Sequence, residues 1–240
     1  MADILRISAK NLGELALPDF CPRIFWLKTK SGNHLPFQIF PGIFSSIDAY
    51  TKRVVQAWMD KNAGAPFGLD VLGEVTGYID PPHWSHFSME VPGYDIIFTG
   101  APDGILKFSD GSIAIIDYKT AKYTGEQDAL MPMYKVQLNG YAAIAEHQNL
   151  GHVSKLALVY AEPVTDQDTA AQPQIHTADG FRMPFSVSVH PVMLDLAMLE
   201  PLYRRARAIY DLPQPPEATP DCEDCERLER LISLIQGSGQ

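Results

Sequence analysis

Apolar positions along the chain follow a helical spacing near its start, change to strand spacing in the middle, and return to helices toward the end. The segment 7–30 predicts a helical stretch that ends near the run CPRIFWL. In SIDAYTKRVVQAWMDK (46–61), Ile47, Val54, Val55 and Trp58 recur on one helical face with charges between them, and Ser46 is available as an N-cap. Gly64, Pro66 and Gly68 then break the pattern. From 73 to 120 the texture is that of strands: YDIIFTG, then GILKF, a turn at SDG, and the isoleucine-rich SIAIIDYKT. A helix is predicted over 133–148 and a strand over 154–160. The polar segment 164–177 reads as a loop. FRMPFSVSVH alternates with period two and carries Pro184, which suits an edge strand, and a long helix is expected over 192–210.

Beyond that helix the composition shifts. LPQPPEATPD is a proline-rich linker, followed by CEDC, a short helix ERLERLISLIQ and the tail GSGQ. The expected organisation is one domain over 1–211, including an N-terminal helical segment, and an appendage over 212–240 that packs back near Cys21. No internal repeat interrupts this order. Helix, three strands, helix, two strands, helix describes an α/β fold with a central mixed β-sheet flanked by helices.

Composition narrows the function classes. Hydrophobic residues make up 46% and charged residues 20% of 240, which suits a globular chain with a sizeable core. The apolar runs are strand-length, well short of the roughly 18 residues that span a bilayer, and the N-terminus lacks a basic start with an apolar core behind it. A cytoplasmic protein without a membrane partner is expected. Net charge is −10, which opposes tight non-specific binding to nucleic acid. A local basic groove would be compatible with it, and Arg204, Arg205, Arg207, Lys119, Lys122 and Lys135 could supply one, or could simply be solvated charges. There is no GxGxxG, P-loop or GxSxG, so nothing points to small-molecule metabolism.

The chemistry concentrates in FTGAPDGILKFSDGSIAIIDYKTAK. Asp117 and Lys119 are two apart on a strand and share a face, with Tyr118 on the other. An acid and a lysine at the end of a buried apolar strand are costly unless paired or bound to something. If SDG closes a hairpin, Asp103 lies near the strand end that carries Asp117. Two carboxylates can then converge on one hard divalent cation, Mg²⁺ or Mn²⁺. Each piece alone has an ordinary use: PDG as a turn, DYK as a strand-end ion pair.

The ordered pattern GAPDGI, IIDYKT and QLNGY resembles the PD-(D/E)xK nuclease superfamily, in its RecB-like branch, which includes the CRISPR adaptation exonucleases. The resemblance is strongest over 100–141. It implies a restriction-endonuclease-like fold and metal-dependent hydrolysis of DNA, as an exonuclease or end-processing activity on single strands or duplex ends. It implies metal ligation by Asp103, Asp117 and the Tyr118 backbone carbonyl, with Lys119 orienting the attacking water. Gln137 and Tyr141 match the QxxxY motif, whose two residues share one helix face. It further implies work within a larger repair or defence assembly. A weak or inactive nucleic-acid-binding scaffold is the alternative reading.

Two margins stay open. The family usually has a histidine on the helix before the core, and here the position falls to Asp48, either as a third metal ligand or as a charge favouring the helix N-terminus. Glu74 is a weaker candidate, and His83 and His86 in PPHWSHF have HxxH spacing, although a loop packed around Trp84 is the plainer reading. The family also often carries CPR near its start, and some members hold an iron–sulfur cluster on four cysteines. Cys21, Cys222 and Cys225 match three of these, and no fourth cysteine follows. The set is a remnant, a zinc or iron–sulfur site with another fourth ligand, or an oxidation-sensitive cluster.

Overall fold

The structure is a computed structural model that describes residues 3–35, 42–62, 64–125 and 129–237. In chain order the elements are β1 (Leu5–Ser8), α1 (Ala9–Gly13), α2 (Pro22–Lys30), α3 (Gly42–Met59), β2 (Val75–Ile79), β3 (Ser88–Val91), β4 (Ile96–Thr99), β5 (Gly104–Phe108) and β6 (Ile113–Lys119). Then come α4 (Met131–His147), β7 (Val153–Pro163), α5 (Gln167–Ala170), β8 (His176–Thr177), β9 (Gly180–Phe181), β10 (Phe185–Val192), α6 (Leu199–Tyr210) and α7 (Glu223–Gly237).

A five-stranded mixed sheet in the order β10-β7-β6-β5-β2 forms the centre. β5 and β6 pair antiparallel as a hairpin, with Gly104 opposite Ile116, and the turn is held by Asp110, whose carboxylate accepts from the Ser112 N–H at 2.8 Å. β6 and β7 are parallel, which requires a crossover, and α4 provides it. β10 is an edge strand, as Pro184 suggests.

Because β6 lies inside the sheet with both faces covered, its side chains divide by parity. Ile113 and Ile115 enter a core under α4, whereas Ala114, Ile116 and Tyr118 enter a second core that includes Val55 of α3. Asp117 and Lys119 therefore continue the face that α4 covers. That helix is buried on two sides, between the main sheet and a smaller one of order β1-β4-β3. Gly140 allows the approach, since a Cβ there would stand 2.7 Å from Ala9 and from the Phe98 ring.

Several boundaries differ from expectation. Within the segment 7–30 the chain completes β1 and makes the short α1, which ends well before CPRIFWL, and a second helix, α2, begins inside that run. Ser46 does not cap α3; it lies one turn inside, and its hydroxyl donates to the Gly42 carbonyl at 3.3 Å. YDIIFTG supplies β4, which joins the smaller sheet, pairing in parallel with β1. The polar segment 164–177 holds the short α5 and half of the β8–β9 hairpin. The strand β10 continues to Val192, so α6 starts seven residues later than the pattern suggests.

Candidate active site

The hairpin brings the strand-borne residues together. Gly104 permits close pairing, since a Cβ there would be 2.8 Å from the Ile116 side chain. Asp103, one residue before β5, is thereby held beside the end of β6, where its Oδ2 accepts from the Tyr118 N–H at 2.8 Å. In an extended strand the N–H and C=O of one residue face the same neighbour, so the Tyr118 carbonyl also points to the side where β5 has ended.

Asp117 is 3% exposed. Its Oδ1 accepts from Gln137 Nε2 at 3.2 Å, and its Oδ2 forms an ion pair with Lys119 Nζ at 2.5 Å but accepts no hydrogen bond. Gln137 also donates to the Tyr141 hydroxyl at 2.8 Å, one helical turn along α4. Lys119 Nζ lies 3.9 Å from the centre of the Tyr134 ring, a cation–π contact that fixes the ammonium over α4. Gly100 makes room for Tyr141, because a Cβ at that position would approach its ring to 2.6 Å.

From the other side α3 contributes Asp48 and a residue the sequence reading missed, Lys52. Its Nζ bridges Asp48 Oδ2 at 2.9 Å and Asp103 Oδ1 at 2.7 Å. Asp48 lies in the second turn of α3, so it is an ion-pairing group rather than an N-terminal charge. With Lys119, Phe44, Tyr134 and Gln137, the three carboxylates line a cleft of about 530 Å³. Lys10 from α1 reaches the same cleft.

Burial and charge crowding disfavour the ionised carboxylates of the cleft. Burial, and then the charge of Asp117, push the Asp103 carboxyl up to about 6 against the Lys52 ammonium and the Tyr118 N–H. Burial and the Asp103 charge raise Asp48 as well. Burial opposes the Lys52 ammonium, yet Asp103 and Asp48 outweigh it and hold Lys52 above its ordinary value. Asp103 and Asp117 thus carry like charge close together, against the ammonium groups of Lys52 and Lys119. A buried carboxylate oxygen without a hydrogen bond, beside a second carboxylate that burial and like charge disfavour, suits a divalent cation with oxygen ligands. Among the described residues, the three carboxylates do not close into a compact triad.

Other candidates fall elsewhere. Glu74 lies before β2 at the far end of the hairpin and accepts from Ser109 Oγ at 2.8 Å, so it does not join the cleft. His83 contacts Ser85 Oγ at 2.7 Å, and its ring is 6.3 Å from that of His86 in an edge-on contact. Trp84 is 61% exposed; the loop is anchored instead by Phe87, which is fully buried. Of the α6 arginines, Arg205 and Arg207 tie the helix to distant backbone and Arg204 is an exposed charge paired within the helix. Arg204 pairs with Glu200, Arg205 donates to the Leu15 carbonyl, and Arg207 pairs with Asp211 and donates to the Asp3 carbonyl.

The three cysteines gather although they are far apart in sequence. Their Sγ atoms all lie within 4.8 Å of one another, with Cys21 and Cys225 at 3.6 Å. Thr219 closes the linker over α2 by donating to the Phe20 carbonyl at 2.9 Å. Burial works to raise the Cys21 thiol, but the N–H groups of Ile24 and Thr219 prevail and lower it to about 7. Burial and the two neighbouring thiols push Cys225 up to about 12. An adjoining cavity of about 650 Å³ is lined by Cys21 and Cys222 with Asp19, Asp221 and Asp224.

The family model of the PD-(D/E)XK nuclease superfamily matches residues 45–230, and the chain belongs to that superfamily. Its members are generally phosphodiester-cleaving, metal-dependent nucleases. No curated protein matches the chain. Among solved structures it is similar to one titled "Crystal structure of SSO0001", at 16% identity and a TM-score of 0.46, covering 89% of this chain and 80% of that one. No helix among the described residues is long and apolar enough to cross a membrane.

Proposed function

We propose that this chain is a DNA nuclease acting on single strands or duplex ends, with Asp103, Asp117 and the Tyr118 carbonyl holding Mg²⁺ or Mn²⁺ and Asp48 completing the set. The observation that carries the reading is the gathering of Asp103 and Asp48 in one cleft with Asp117, whose buried Oδ2 is ion-paired with Lys119 but accepts no hydrogen bond. The bound cation supplies Lewis acidity and a water of lowered pKa. This chain's residues do the rest. Lys119, fixed by the Tyr134 ring and Asp117, orients the attacking water and offsets charge developing on the phosphate. Gln137 and Tyr141 keep Asp117 from turning away. The cysteine trio is proposed as a second, structural site for zinc or an iron–sulfur cluster, on the convergence of three thiols.

The test compares wild type with Asp103→Asn on end-labelled single- and double-stranded DNA in Mn²⁺. Shortening of at least one substrate by wild type, abolished in the variant and by chelator, is expected. No cleavage of any substrate by folded wild type would favour a nucleic-acid-binding scaffold, and equal cleavage by both proteins would overturn the assignment of the site.

A further inference from the structure

Lys52 has no part in the chemistry just described, yet it pairs with two of the three carboxylates that line the cleft. Its ammonium lies between Asp48 and Asp103, 2.9 Å and 2.7 Å from their oxygens, and those carboxylates belong to different elements, α3 and the start of β5. Among the described residues Lys52 is the cation paired with Asp103, and Lys119 is engaged with Asp117 and Tyr134. A divalent ion held by Asp48 and Asp103 would compete with this ammonium for the carboxylate oxygens it now engages. Both cannot remain, since like charges a few ångströms apart in a half-buried cleft repel by several kcal/mol at an effective dielectric of roughly 20.

We propose that Lys52 is an exchangeable counter-ion, an internal cation that holds the carboxylates together without metal and must leave when metal binds. This rests on the metal reading above and deepens it. Metal binding is then a one-for-two exchange, in which an ammonium swings out of the cleft and a divalent ion enters. The side chain has the freedom to do so: it rises from α3 on a flexible four-carbon stem and is about one-third exposed. Loading is then weaker than the carboxylates alone would give.

The experiment titrates Mn²⁺ into wild type, Lys52→Met and Lys52→Arg by calorimetry, in the absence of nucleic acid, with Asp117→Asn as the control for the site itself. Lys52→Met should bind Mn²⁺ more tightly, by about tenfold or more, since a competing charge has gone. Lys52→Arg, which keeps the charge, should bind like wild type. Circular dichroism establishes that each variant is folded, and Lys52→Gln replaces Lys52→Met if the latter is not. Unchanged or weaker binding in the neutral variants would overturn the exchange, because Lys52 would then be idle or would be supporting the ligands. If folded wild type binds no Mn²⁺, or Asp117→Asn binds it as well as wild type does, the metal reading fails instead.

Discussion

Replacing Lys119 with Met separates the structural part of the site from its catalytic part. Asp117 is nearly fully buried, and its Oδ2 has the Lys119 ammonium 2.5 Å away with no hydrogen bond to fall back on. Its Oδ1 keeps the Gln137 amide. Lys119→Met preserves most of the side-chain volume over Tyr134 while deleting the charge, so the loss is electrostatic rather than a cavity. Breaking a buried pair by removing one partner costs about 3–5 kcal/mol, and the surviving amide contact argues for the lower end, about 3 kcal/mol. For a chain of this size that is a fall in Tm of roughly 6–12 °C. The assay is urea unfolding at pH 7 with chelator present, followed by circular dichroism. Asp117→Asn combined with Lys119→Met removes both charges and should regain about 2 kcal/mol of the loss. A cost below about 1 kcal/mol for Lys119→Met, or a double variant no more stable than the single one, would refute the reasoning.

Three further outcomes are expected. Gly100→Ala drives a methyl against the Tyr141 ring and should cost about 1–3 kcal/mol in urea unfolding while lowering nuclease turnover. Unchanged stability would mean that the ring has room to move. Arg207→Ala should destabilise the fold by about 1–3 kcal/mol, as the guanidinium joins Asp211 to the Asp3 and Asp95 carbonyls. It should leave the salt dependence of DNA binding unaltered, and a shallower slope would return α6 to the DNA interface. Purification under strictly anaerobic conditions, or loading with zinc, should give bound metal by elemental analysis that Cys225→Ser releases. A wild type free of both metals after loading would leave the trio without that role.

What the sequence revealed was local in its physics. Asp103, Asp117 and Lys119 were legible because two short strands and a three-residue turn bring them together, and strand parity alone decides that Asp117 and Lys119 share a face. Gln137 and Tyr141 stood out only through the resemblance to the QxxxY motif, helical spacing adding that they share a face, and it is α4's burial between two sheets that aims them at Asp117. Lys52 escaped notice because Asp48 and Lys52 look like any solvent-facing i,i+4 pair until β5 brings Asp103 within reach. Two of the α6 arginines hid for the converse reason: Arg205 and Arg207 find the Leu15 and Asp3 carbonyls at the other end of the chain, whereas Arg204 pairs within its own helix. Trp84 and Phe87 exchanged roles because aromatic content does not say which ring faces inward.

The convergence of Cys21 with Cys225 also sets a timetable. The two thiols are 204 residues apart, and Arg23 of α2 likewise waits for the Pro216 carbonyl and Glu229. At a ribosome's pace of about 5–20 residues per second, Cys21 emerges roughly 10–40 s before its partner. During that interval a thiol that the finished fold conceals is open to oxidants and to stray metal. A reduced first cysteine is therefore a condition for the three thiols to meet as thiols.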